Sequence, residues 1–102
     1  MRKTFSLRHP KIVYPRLIES AKNDVRKYIK RERRRELPKG VDFWDFDCRF
    51  GDTAEAAKKI HPAELIKNID DVAGRGAESF YVEILAKPGI RRKRPKAADE
   101  SS

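Results

Sequence analysis

Lys22, Arg26, Lys30 and Arg34 follow one another at four-residue intervals, and Lys27, Arg31 and Arg35 form a second row beside them. On a helix, residues four apart are neighbours. The two rows therefore hold five like-charge contacts (22–26, 26–30, 30–34, 27–31 and 31–35), each costing about 0.2–0.5 kcal/mol at low salt. A face that only had to be wetted would interleave glutamates and gain that energy instead. Cations near a helix C-terminus complement its dipole, which offsets the cost from Lys30 onward but not at Lys22, Arg26 or Lys27. The chemistry open to such a cluster is anion binding: arginine grips phosphate with a planar fork or stacks on a base, and lysine acts as a point charge. Arg33 adds a further guanidinium, and Arg91, Arg92, Lys93 and Arg94 repeat the chemistry near the C-terminus. The expected partner is a polyanion, with RNA or the ribosome favoured over DNA. Phosphate contacts of this kind give little sequence preference.

Carboxylates offer a second chemistry. Asp45 and Asp47 are two apart, and Glu83 lies on another strand-like run. Three such groups could hold a hard cation or share acid–base work. Cross-strand ion pairs with Arg49 and nearby lysines are the simpler use for them. His9 and His61 each stand alone beside a proline, and Cys48 is the single cysteine, so no metal-ligand spacing arises. Gly-rich phosphate loops, serine nucleophile elbows and CxxC pairs are absent from the sequence. The reading is thus of a non-enzymatic protein with no metal and no cofactor. Its runner-up is a protein-interaction module, whose basic helix docks an acidic partner or the acidic sheet face of another copy, giving weak self-association.

The elements that must position these groups come from a chain of 102 residues with 25 Lys/Arg, 16 Asp/Glu and a formal net charge of +9. Residues 1–40 carry 14 Lys/Arg against 4 Asp/Glu, residues 41–86 carry 5 against 10, and residues 87–102 carry 6 against 2. An acidic middle lies between two basic ends. At this length one domain is expected, and 38% apolar residues make its core thin. One cysteine excludes an intramolecular disulfide framework. No apolar run approaches the ~20 residues of a membrane span, and residues 1–8 lack a secretory apolar stretch, so a cytoplasmic protein is expected. Residues 1–87 read as a single α+β domain. Residues 88–102, with two prolines, a glycine and one large aliphatic residue, read as a disordered basic tail.

Thr4–Arg8 alternates as a strand, with Phe5 and Leu7 on one side. From Pro15 a helix is expected, because Leu17, Ile18, Ala21, Val25, Tyr28 and Ile29 fall in one arc of a helical wheel. Leu37-Pro38-Lys39-Gly40 stops it. The arc ends at Ile29, where its continuation is Glu32 and Glu36, so Lys30–Glu36 is expected to project as a charged rod. Residues 41–50 alternate Trp44, Phe46, Cys48 and Phe50 against Phe43, Asp45, Asp47 and Arg49, a clear strand. A second helix spans about Pro62–Ala73, with Gly74 and Gly76 at its exit, and Ser79–Ala86 forms a final strand. Residues 52–61 read either as a short strand or as a short helix opened by Asp52 and Glu55. The strand reading, which is preferred, gives β-α-β-β-α-β, the ferredoxin-like order, and the helix reading gives β-α-β-α-α-β. Both are two-layer sandwiches with helices on one face. The expected core is Phe5, Leu7, Ile18, Val25, Trp44, Phe46, Phe50, Leu65, Ile69, Phe80, Val82 and Ile84.

Three stretches are distinctive together. They are Met1–Leu7 with His9-Pro10-Lys11, Val25–Arg34 running on to Gly40-Val41-Asp42-Phe43-Trp44-Asp45-Phe46-Asp47-Cys48, and Ser79–Pro88. The pattern resembles a family of small uncharacterised bacterial proteins, a domain of unknown function, over nearly all of the chain and most weakly over residues 52–75. The resemblance implies a single bacterial domain and brings no catalytic residues with it.

Overall fold

Four strands, the longer ones alternating apolar and polar residues, build one sheet, and two amphipathic helices cover one of its faces. The computed structural model describes residues 1–91. Its strands are β1 (Arg2–Ser6), β2 (Phe43–Gly51), β3 (Lys58–Ile60) and β4 (Ser79–Gly89). Helix α1 spans Tyr14–Arg33, and α2 (Leu65–Arg75) follows a single 3-10 turn, Pro62–Glu64. The element order is the expected β-α-β-β-α-β. Laterally the strands run β1-β4-β2-β3 and every neighbouring pair is antiparallel. Consequently α1 links β1 to β2 across β4, and α2 links β3 to β4 across β2, two interlocked split β-α-β units.

The core lies between the sheet and the helices. Phe5, Phe46, Cys48, Phe50, Phe80, Val82 and Ile84 point inward from the strands to meet Ile18, Ala21 and Val25 of α1 and Leu65, Ile69 and Val72 of α2. Phe80 is fully buried and stacks between Phe5 and Phe50, at ring-centroid distances of 5.1 and 5.2 Å. Of the core expected from sequence, only Trp44 is partly buried rather than enclosed. It sits near the start of β2, and its indole Nε1 donates to the Arg35 carbonyl at 3.0 Å. Lys3 ties the β1 edge to α1, lying over the Phe5 ring and pairing with Asp24.

Several boundaries differ from the sequence reading: β1 is Arg2–Ser6 rather than the expected Thr4–Arg8, and α2 starts at Leu65 and runs to Arg75 rather than over the expected Pro62–Ala73. Helix α1 ends at Arg33 and does not run on to Glu36. The Arg34 and Arg35 N–H groups bond to the carbonyls of Arg31 and Glu32, tightening the last turn into i→i+3 geometry. Strand β4 continues through Gly89, past the expected domain end at residue 87. Pro88 is tolerated there because β1 pairs only as far as Glu83, so that side of β4 is an open edge. In residues 52–61 the strand reading holds, although β3 is only three residues long. Thr53 Oγ1 accepts the Ala56 N–H in the turn before it.

That turn passes so close to β2 that a Cβ on Gly51 would lie 2.7 Å from the Ala57 Cα. A Cβ on Gly74, in α2, would meet nothing within 4 Å. Gly51→Ala is therefore expected to destabilise the fold by about 1–3 kcal/mol through steric strain. Gly74→Ala is expected to stabilise it by about 0.5–1 kcal/mol, as in any open helical site. Urea denaturation of the two variants checks both signs.

Candidate functional site

The apolar underside of α1 fixes which way its charges face. With Ile18, Ala21 and Val25 buried, Arg26, Lys27, Lys30, Arg31, Arg33 and Arg34 are turned to solvent. None of these six pairs with a carboxylate among the described residues. The other two cations expected in the cluster are matched internally. The Lys22 side chain is only 12% exposed and is held by Asp70 of α2 and by Glu19, so it leaves the binding face. The bond to Asp70, foremost, keeps its ammonium above the usual lysine range. Arg35 pairs with Glu32 at 2.6 Å.

The end of α1 does not stand free as a rod. Arg35 lies over the Trp44 ring at 4.7 Å from guanidinium carbon to ring centroid, and Arg33 over the Phe46 ring at 5.7 Å. Guanidinium planes settle on aromatic faces because the ring quadrupole attracts them while their edges stay wet. The chain then returns to β2 through residues 34–42. There the Asp42 N–H donates to the Gly89 carbonyl, and the Arg91 N–H to Asp42 Oδ2. This brings Arg91 over Phe43 and beside the α1 cations. Arg92, Lys93 and Arg94 lie outside the described residues.

Between the C-terminal half of α1 and the turn that opens α2 runs a groove of about 1060 Å³. Its floor is apolar, with Ile29, Leu37, Trp44, Pro62 and Ile66 among the lining residues, and its rim carries Arg26, Lys30, Arg33, Arg34 and Arg91. Lys27 and Arg31 lie outside it, with Arg31 over Tyr28. Sequence reasoning found the cations and missed the groove. The signal was the apolar arc that stops at Ile29 while Leu37, two turns on, remains apolar and exposed.

The other candidates are occupied by structural work. Lys87 Nζ bonds Asp47 at 2.7 Å and reaches Asp45 at 4.0 Å. Glu83 accepts from the Tyr81 hydroxyl and pairs with Arg2. Arg49, expected to pair with these acids, instead donates to the Ala57 carbonyl. His61 forms a capping box, its Nδ1 accepting from the Ala63 N–H and its own N–H donating to Glu64. His9 Nδ1 likewise accepts from Lys11 and Ile12 before α1. Cys48 is fully buried, and that burial foremost, with Asp47 and Asp45 nearby, pushes its thiol up to about 11.

The Lys87 ammonium, with Lys59 contributing at longer range, holds the Asp47 carboxyl below the usual carboxylate range. A depressed carboxylate pKa gives stability that is present above the unfolded group's titration and lost as pH falls through the folded one. In Lys87→Met, Asp47 is expected to titrate nearer the ordinary range by NMR. An unmoved titration would contradict the pairing.

Searches of the curated proteins and of the solved structures return no match. No helix among the described residues is long and apolar enough to cross a membrane. A family model does match, over residues 1–96, nearly the whole sequence and all of the sheet, both helices and the groove between them. The chain belongs to the family of unknown function DUF6172.

Proposed function

We propose that this chain is a non-enzymatic bacterial cytoplasmic protein that binds a polyanion, RNA or ribosomal RNA ahead of DNA. The binding face is formed by Arg26, Lys27, Lys30, Arg31, Arg33 and Arg34, with Arg91 alongside and Arg92, Lys93 and Arg94 following it in the chain. The observation that carries the reading is that six exposed cations share one end of a helix without an acidic partner among the described residues. Their mutual repulsion falls when phosphates replace the counterions around them, so binding and relief of repulsion are the same event. Lys22 and Arg35 help only indirectly, by tying α1 to α2 and to β2.

An acidic protein partner would use the same face. The specific version in which a second copy presents its own acidic sheet has little support. Asp45 and Asp47 are already shared with Lys87, and Glu83 with Arg2 and Tyr81.

Fluorescence anisotropy with a labelled RNA oligonucleotide tests the reading. The logarithm of the association constant is expected to fall linearly with the logarithm of salt, by about 0.7 per phosphate contacted on a single strand. Arg31→Gln and Arg34→Gln are each expected to reduce that slope by about one contact and to weaken all sequences alike. Affinity that stays flat as salt rises would contradict it.

A further inference from the structure

We infer that the groove between α1 and the start of α2 receives an unstacked base, so that the RNA bound is single-stranded. This rests on the proposed polyanion binding and adds to it a ligand form that the charges alone do not select.

A row of surface cations suits a duplex and a single strand equally, since both present phosphates. A groove beside that row suits only the strand. Its floor of Ile29, Leu37, Trp44, Pro62 and Ile66 would stay wet under a duplex, whose bases are stacked and paired inside. In a single strand the phosphates can lie on Arg26, Lys30 and Arg34 while a base turns into the groove. The volume of about 1060 Å³ is slightly above the usual range of small-ligand sites, ample for one nucleoside. Guanidinium–ring pairs border the floor as well: Arg33 lies over Phe46 and Arg91 over Phe43, and Arg35 lies over the other lining ring, Trp44. A planar base can extend such a stack, and any base can do so because every base has a π-face.

Charge narrows the choice of occupant. Five cations line the groove against two carboxylates, Asp42 and Asp45. Asp42 already accepts the Arg91 N–H, and Asp45 accepts the Phe46 N–H and faces Lys87. The groove is therefore electropositive as well as apolar. The segment that follows Arg91 begins Arg92-Lys93-Arg94 and carries the same sign as the rim. That argues against residues 92–94 as the occupant. A ligand both anionic and planar-apolar satisfies both properties at once.

The test compares four probes by anisotropy competition: a single-stranded RNA, an abasic strand of equal length and charge, an RNA duplex and polyglutamate. Trp44 is the only tryptophan, so its emission reports the groove directly. The base-bearing strand is expected to bind about tenfold tighter than the abasic one. It alone is expected to change Trp44 emission. Leu37→Gln, which adds no charge to the groove, is expected to bring the binding of the two strands toward equality. Equal binding of abasic and base-bearing strands would overturn the base site and leave phosphate binding intact. Binding of polyglutamate with no binding of either strand would overturn both.

Discussion

The balance along α1 between burial underneath and repulsion on top sets most of what this molecule does. Ile18, Ala21 and Val25 are enclosed, and Tyr14, Leu17, Tyr28 and Ile29 pack around them. That apolar side holds the helix to the sheet firmly enough for its outer side to collect cations at adjacent positions. Two of the cations are neutralised within the protein: Lys22 by Asp70 of α2 and by Glu19, and Arg35, just past the helix end and over Trp44, by Glu32. In between, the positive charge is left for solvent or a ligand.

The same balance shapes the groove. Past Ile29 the helix has no further apolar residues to bury, and it ends within one turn. Its last arginines then find the aromatic residues at the start of β2, where guanidinium stacking replaces side-chain burial. Helix end, return loop and β2 become three sides of a concavity whose fourth is the turn before α2. The opposite face of the sheet contributes only Phe43 and Asp45, at the start of β2. Its acids and bases cancel across strands, so it carries neither a free acidic strip nor a cluster of carboxylates able to hold a metal among the described residues.

How much of this was legible in the sequence follows from the range of each interaction. Periodicity is local, so the helix under residues 15–33, the strand through Trp44, Phe46, Cys48 and Phe50, and the inward face of Phe80, Val82 and Ile84 could be read directly. Cys48 could be placed in the core by the same alternation. Residues 52–61 stayed ambiguous because β3 is three residues long, too short for alternation to separate from helical spacing, and only pairing with β2 decides it. The Lys22–Asp70 pair and the fold-back of Arg33 and Arg35 join residues distant in sequence or across a loop, and no local pattern announces them. Hence eight cations on α1 and just past its end were found, but two of them, Lys22 and Arg35, are tied up within the protein. The groove, made by elements far apart in the chain, was not foreseen.

The central claim is that the charge on α1 is held at a cost to folding, and Arg26→Glu tests it most directly. Glutamate at that position would turn repulsion of Lys30 into attraction, Lys22 being already matched by Asp70 and Glu19. Folding stability measured by urea denaturation at low salt is predicted to rise by about 0.5–1 kcal/mol. The gain is predicted to shrink as salt screens it. A variant that is less stable than the parent, or whose stability difference ignores salt, would contradict the account.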